Sequence, residues 1–211
     1  MHLWLQEFIN ELKDTTLLEF IAVISGIVSV WYSRKENILV YPVGLVNTII
    51  YVYLSVKNDL FGEASVNLYY TIVSIYGWII WTRKNERNEH ILHITKSTIK
   101  EWTGHLAFFS LFYIAIYFSL VYLKSAFNAF TIPWADAFAS ATAYTGMWLM
   151  AKKKVESWYW WIATNIASIP LYYIKGLAFT SVYYSVLLIL AIFGLIEWIR
   201  RAEEVERKLL L

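Results

Sequence analysis

Three side chains are spaced to hold a small flat molecule: Trp158, Trp161 and Asn165. They fall at i, i+3 and i+7, so on a helix they share one face. An indole offers a π face that attracts a flat cation, a contact worth about 0.5–2 kcal/mol. An amide offers both a donor and an acceptor. Two further amides, Asn47 and Asn67, and four tyrosines, Tyr51, Tyr70, Tyr183 and Tyr184, extend the same chemistry. Asn47 and Asn165 lie well inside apolar stretches, where an amide without partners costs about 1–3 kcal/mol. Each is therefore a binding group or a bond between helices. Trp158 follows Lys152, Lys153 and Lys154, and equally suits an aromatic belt at a membrane surface.

Other chemistries are poorly provided. His90 and His93 sit at i, i+3 with His105 further on, but two histidines without a fixed third ligand make a weak metal motif. The chain has no cysteine, and therefore no thiolate site. No H-E-x-x-H or G-x-S-x-G segment points to an intramembrane enzyme. A retinal-type receptor needs a Schiff-base lysine in its last span, and residues 177–199 contain none. Glu19, Glu63 and Asp136 lie near span ends, where they cap helices, pair with neighbours or attract a cation. No carboxylate falls at mid-span, so proton coupling is not expected.

These residues sit in a chain built for lipid. Of 211 residues, 59% are apolar and 16% charged, against about 45–50% and 25% in a soluble domain. The net charge of +2 gives no basic patch for nucleic acid. Seven runs suit helical spans: 17–33, 38–56, 60–81, 104–123, 133–150, 158–174 and 177–199. The fifth is small and polar rather than greasy, as expected of a helix packed closely among others. The acidic start of the chain lacks the pattern of a cleaved signal peptide. The linker 82–103 reads as a solvated basic connector. The whole is a single membrane domain of all-α class.

Charge orients the spans. Of the 18 Lys and Arg residues, 14 follow spans one, three, five and seven. The positive-inside rule then predicts a cytoplasmic C-terminus and an external N-terminus.

The sequence also repeats itself. Trp31 and Trp81 are 50 apart, as are Trp148 and Trp198. An offset of 117 relates the Trp pairs and Gly77 to Gly194, while 118 relates Asn47 to Asn165 and Lys57 to Lys175. Residues 17–81 thus match 133–199 as parallel three-helix repeats, with 104–123 as connector. Transporters often hold substrate at midplane between such repeats. Pro42 and Pro170 lie near the site-bearing stretches, where each permits a kink.

The segments W-x-x-W-x-x-x-N from Trp158 to Asn165, Y-x-K-G-L from Tyr173 to Leu177 and Y-G-W-x-x-W from Tyr76 to Trp81 resemble the PnuC family of bacterial vitamin transporters. The resemblance covers nearly the whole chain. It implies a seven-span, SWEET-like 3+1+3 fold in the bacterial inner membrane, usually as a homotrimer. It implies no enzymatic activity and no cofactor. It implies uptake of nicotinamide riboside by facilitated diffusion, with a cytoplasmic kinase trapping the product; close cousins carry thiamine or riboflavin. Asn67 stands where many riboside carriers have Gln. On this reading Trp161 stacks on the cationic ring, and Asn165 bonds its carboxamide or a hydroxyl.

Overall fold

The computed structural model describes residues 9, 12, 13, 15–57, 61–122 and 131–209. The acidic N-terminal stretch, Leu60, Leu123 and Lys124 lie outside these residues. Seven helices cover the predicted spans: α1 Leu17–Arg34, α2 Val40–Lys57, α3 Phe61–Thr82, α4 Ile99–Tyr122, α5 Pro133–Ala151, α6 Ser157–Ile174 and α7 Ala178–Leu209. Four of them, α1, α2, α4 and α7, are long and apolar enough to cross a membrane. The other three are richer in Tyr, Trp, Ser, Thr and Asn.

Local chemistry sets the ends. Thr16 and Glu19 form a reciprocal cap on α1, which gives Glu19 a structural task. Thr98 and Glu101 do the same for α4; that helix therefore starts at Ile99, five residues before the predicted span. Pro133 opens α5, and the Asp136 carboxylate accepts from the Ile132 N–H at 2.7 Å. Pro42 is the third residue of α2, in the first turn, where its missing N–H breaks no helical bond. Pro170 lies inside α6, which runs on to Ile174.

Six helices pack as a closed ring in the order α1–α2–α3–α5–α6–α7, with α7 returning to α1. The remaining helix, α4, packs mainly on α5, and its rings also meet Tyr69 of α3 and Trp160 of α6. His105 is its one buried residue among those described, while α5 is mostly buried from Ala137 to Ala151. The small residues of α5 are what allow α3, α4 and α6 to approach it.

The apolar core lies at the end of the ring bearing the basic loops. There, contacts recur at a constant offset. Tyr41 meets Trp81 edge-on at 5.1 Å and 88°; Trp158 meets Trp198 edge-on at 5.5 Å and 88°. Trp81 Nε1–H donates to the Ala151 carbonyl at 2.9 Å, and Trp198 Nε1–H to the Ser33 carbonyl at 3.1 Å. A Cβ on Gly77 would lie 2.5 Å from a ring carbon of Tyr41, and one on Gly194 2.5 Å from a ring carbon of Trp158. An offset of 117 takes Tyr41 to Trp158, Gly77 to Gly194 and Trp81 to Trp198. Two contacts join partners 117 apart directly: Ser33 Oγ–H to Met150 Sδ, and Lys153 Nζ to Glu36.

This register corrects one sequence pairing. An offset of 117 sets Asn47 opposite Thr164, not Asn165. The bonding agrees: Asn47 Nδ2–H donates to Ala22 O on α1 at 2.7 Å, and Thr164 Oγ1 bonds Thr142 Oγ1 on α5 at 2.9 Å. Asn47 thus ties α2 to α1, and Thr164 ties α6 to α5.

The linker 82–103 is also more ordered than a solvated connector. Thr95 exchanges backbone bonds with Lys153 and Val155, Ile94 is buried, and Glu156 accepts from Ser97 N–H at 2.8 Å. His90 Nδ1 lies 3.1 Å from Trp81 O. No group of three or more metal-ligating side chains converges among the described residues.

Candidate functional site

Helix α6 presents a stripe at helical spacing, Trp161, Asn165, Ser168 and Tyr172. Its two ends touch opposite walls of the ring. Trp161 faces Tyr70 of α3, ring centroids 6.2 Å apart. Tyr172 stacks on Tyr184 of α7 at 5.1 Å and 10°, and Tyr184 also bonds Ser168. Asn165 sits between these contacts on the same face. It is 2% exposed, and its Oδ1 has no hydrogen-bond partner among the described residues.

Trp161 takes its place because Gly146 of α5 leaves room. A Cβ there would lie 3.2 Å from the indole. The offset of 117 takes Trp161 to Gly44 and Gly146 to Ser29, a pair that also meets, at 3.5 Å from a Gly44 Cβ. The bulk is thus on α6 in one half and missing from α2 in the other. The centre is asymmetric, with one indole face rather than two.

Opposite, Gly26 of α1 lets Asn47 and Tyr183 converge. A Cβ there would lie 2.8 Å from Asn47 Nδ2 and 2.5 Å from the Tyr183 hydroxyl. Tyr183 packs edge-on to Tyr184 at 5.6 Å. Tyr51 is an electrostatic neighbour of both, and Tyr70 of Tyr184 and Tyr183. Tyr51, Tyr70, Tyr183 and Tyr184 are each partly exposed, so their hydroxyls and ring edges are available to a solute. The structure therefore gathers Trp161, Asn165, Tyr51, Tyr70, Tyr183, Tyr184 and Asn47.

Two sequence candidates go elsewhere. Trp158 is 1% exposed and locked in the basic-end core against Trp198 and Gly194. Neither a substrate face nor a surface belt describes it. One helical turn separates it from Trp161, which packs against the same core but is only partly buried and faces Tyr70. Asn67 Nδ2–H donates to Glu63 O, one turn back on its own helix, at 3.0 Å.

Three residues escaped the sequence reading. Tyr144 lies 4.3 Å from Tyr69 and 6.2 Å from Tyr70, and its ring completes the α3–α5 wall. It is the one aromatic in the small-residue run 139–146, a signal the span reading passed over. Ser168 and Tyr172 continue the Trp161–Asn165 stripe by simple periodicity.

Charge closes both ends and avoids the centre. At one end Lys175 pairs with Asp136 at 2.5 Å, with Glu63 nearby. At the other, Lys153 pairs with Glu36 at 2.6 Å, lies 4.7 Å over the Trp81 ring, and bonds Leu92 O; Arg201 reaches the second oxygen of Glu36 at 3.1 Å. Between the two ends, rings, hydroxyls and amides are arranged to bind a flat solute with polar edges, and no fixed charge stands there to neutralise an anion.

Known proteins share this plan. The chain is 23% identical to the nicotinamide riboside transporter PnuC of Escherichia coli (strain K12), covering 90% of this chain and 88% of that protein. It is 21% identical to the riboflavin/roseoflavin transporter RibM of Streptomyces davaonensis, covering 98% and 97%. A crystal structure of the vitamin B3 transporter PnuC superposes with a TM-score of 0.72 at 22% identity, over 95% of this chain and 88% of that one. Residues 16–200 match the sequence profile described as nicotinamide mononucleotide transporter. The ring of helices, the apolar spans and these matches agree: the chain belongs to the nicotinamide mononucleotide transporter family, the PnuC family of membrane transporters.

Proposed function

We propose that this protein takes up nicotinamide riboside by facilitated diffusion across the bacterial inner membrane and is not an enzyme. One observation carries the reading: the buried, unpartnered Oδ1 of Asn165, one turn from the Trp161 face. An orphaned buried acceptor costs about 1–3 kcal/mol. A carboxamide N–H or ribose hydroxyl would satisfy it while the cationic ring lies on Trp161. The phenols of Tyr70, Tyr183 and Tyr184 surround the ribose, and Asn47 and Tyr51 complete the opposite wall. Trp158 and Asn67 take part indirectly, as packing for the helices that carry the site.

The helices work as two parallel three-helix repeats, α1–α3 and α5–α7, joined by α4. The constant offset of the basic-end contacts supports this reading. The repeats rock around the central site and open it to each side in turn. The N-terminus is external and the C-terminus cytoplasmic, following the basic loops. Transport needs no ion; a cytoplasmic kinase traps the product by phosphorylation. The protein assembles as a homotrimer.

A phosphorylated substrate fits less well, because a phosphate needs Lys or Arg at the site and the α6 stripe offers none. Riboflavin is the second reading, favoured over thiamine by the RibM likeness across nearly all of the chain. Calorimetry on purified protein separates the three vitamins. Nicotinamide riboside is expected to bind, and Asn165→Ala to weaken it by about tenfold, the value of one hydrogen bond of about 1.4 kcal/mol. Riboflavin binding with no response to nicotinamide riboside would overturn the substrate. In kinase-free proteoliposomes, uptake is expected to stop at equal concentrations and to ignore a proton uncoupler.

A further inference from the structure

A cavity of about 270 Å³ lies between α4 and α5 at the basic end. None of its lining residues belongs to the group around Trp161 and Asn165. Its lining is graded along the helices. Glu101, Lys152 and Lys154 form the rim, and Phe108 and Trp148 stack deeper at 6.1 Å and 8°.

Two groups in this cavity lack partners that their positions demand. His105 is 9% exposed, lines the cavity, and its buried Nδ1 has no hydrogen-bond partner among the described residues. Lys152 lies 4.2 Å over the Trp148 ring and, among the described residues, meets no carboxylate within ion-pair distance. The acid at the rim does not serve it, because Glu101 is held by Lys154 at 2.7 Å. Burial pushes the Lys152 ammonium pKa down, which marks a cation short of compensation.

We propose that this cavity seats the phosphate of an anionic phospholipid from the leaflet facing the basic loops, with Lys152 and His105 as its donors. The phosphate oxygens accept from both groups. The glycerol and first acyl carbons run along Phe108 and Trp148. A lipid suits the site better than a free phosphate, because the walls beyond the donors are the stacked rings of Phe108 and Trp148.

The test uses full-length delipidated protein, dioctanoyl phosphatidylglycerol as probe, and native mass spectrometry to count bound lipid. One tight molecule per chain is expected. Lys152→Gln and His105→Phe should each weaken it, Lys152→Gln by about five- to tenfold, the effect of one lysine at a membrane surface. Lys100→Gln, a neighbouring exposed lysine outside the cavity, should leave it unchanged. His105→Phe removes no lysine charge and keeps the ring volume, so its loss reports the site rather than the surface field. Melting curves confirm that each variant is folded. Equal weakening by Lys100→Gln and Lys152→Gln, or none by His105→Phe, would overturn the proposal. Displacement of the lipid by millimolar inorganic phosphate would overturn the lipid as occupant.

Discussion

Glu36 and Lys153, 117 positions apart, meet as an ion pair at 2.6 Å across the basic end of the ring. Both hold a left-handed backbone conformation, φ 56° and 53°, in the turns that follow α1 and α5. One position, used in two turns, carries opposite charges, so the two turns attract where like charges would repel. The pair joins the turns that follow α1 and α5, at the end away from the Asp136–Lys175 bridge.

The two partners are not equally replaceable. Lys153 is 5% exposed at its side chain, and without Glu36 it would keep only Leu92 O and the Trp81 face. Without Lys153, Glu36 still has Arg201. Glu36→Ala is therefore expected to destabilise by about 3–5 kcal/mol, the cost of an orphaned buried charge, and Lys153→Ala by less. Melting midpoints in detergent check the order; the reverse order would refute the asymmetry.

Asn165→Ala should separate binding from stability. It removes an unpaired buried oxygen, so the fold should lose little, while substrate affinity falls by about tenfold. Trp161→Phe should keep a cation-binding face and Trp161→Leu should not, with a gap of about 0.5–2 kcal/mol for a cationic ligand. A neutral flavin should show a smaller gap. Calorimetry with both ligands reads the difference.

The glycines give a matched pair and a control. Gly77→Ala and Gly194→Ala both drive a methyl into an aromatic ring of the core, and each should cost about 1–3 kcal/mol. Gly104→Ala meets nothing within 4 Å and should stabilise α4 by up to about 1 kcal/mol through helix propensity. Gly146→Ala should act differently from both, lowering affinity through a displaced Trp161 more than it lowers the melting point.

Topology can be tested without background, because the chain has no cysteine. With the proposed orientation, Lys57→Cys should react with an impermeant maleimide applied outside intact cells. Glu86→Cys should react only after lysis. Both positions are exposed. Labelling of Glu86→Cys in sealed cells would reverse the orientation.

How far the chain could be read follows from where its information lies. Helix limits were legible to within a few residues, because hydropathy and capping are local properties of consecutive residues. The start of α4 was set five residues late, since the Thr98–Glu101 cap lies in polar sequence that hydropathy passes over. The spacing of Trp158, Trp161 and Asn165 did put them on one helix. It could not say that Trp158 is sealed in the aromatic core while Trp161 stays partly exposed and faces Tyr70, because that depends on how α7 and α3 meet α6. Trp158 was therefore misplaced beside Trp161, and Tyr144 was passed over.

The offset of 117 was visible in the Trp pairs, yet the Asn47–Asn165 pairing drifted by one. Matching residue types rewards a shared amide, whereas packing rewards a shared contact. By itself, the sequence determined a seven-helix membrane chain, its basic end and its aromatic and amide chemistry, since these follow from composition and one-dimensional pattern. Only the tertiary structure decided which rings face each other, which amide oxygen is left unpaired and which charges meet, because those depend on distances between residues up to 165 positions apart.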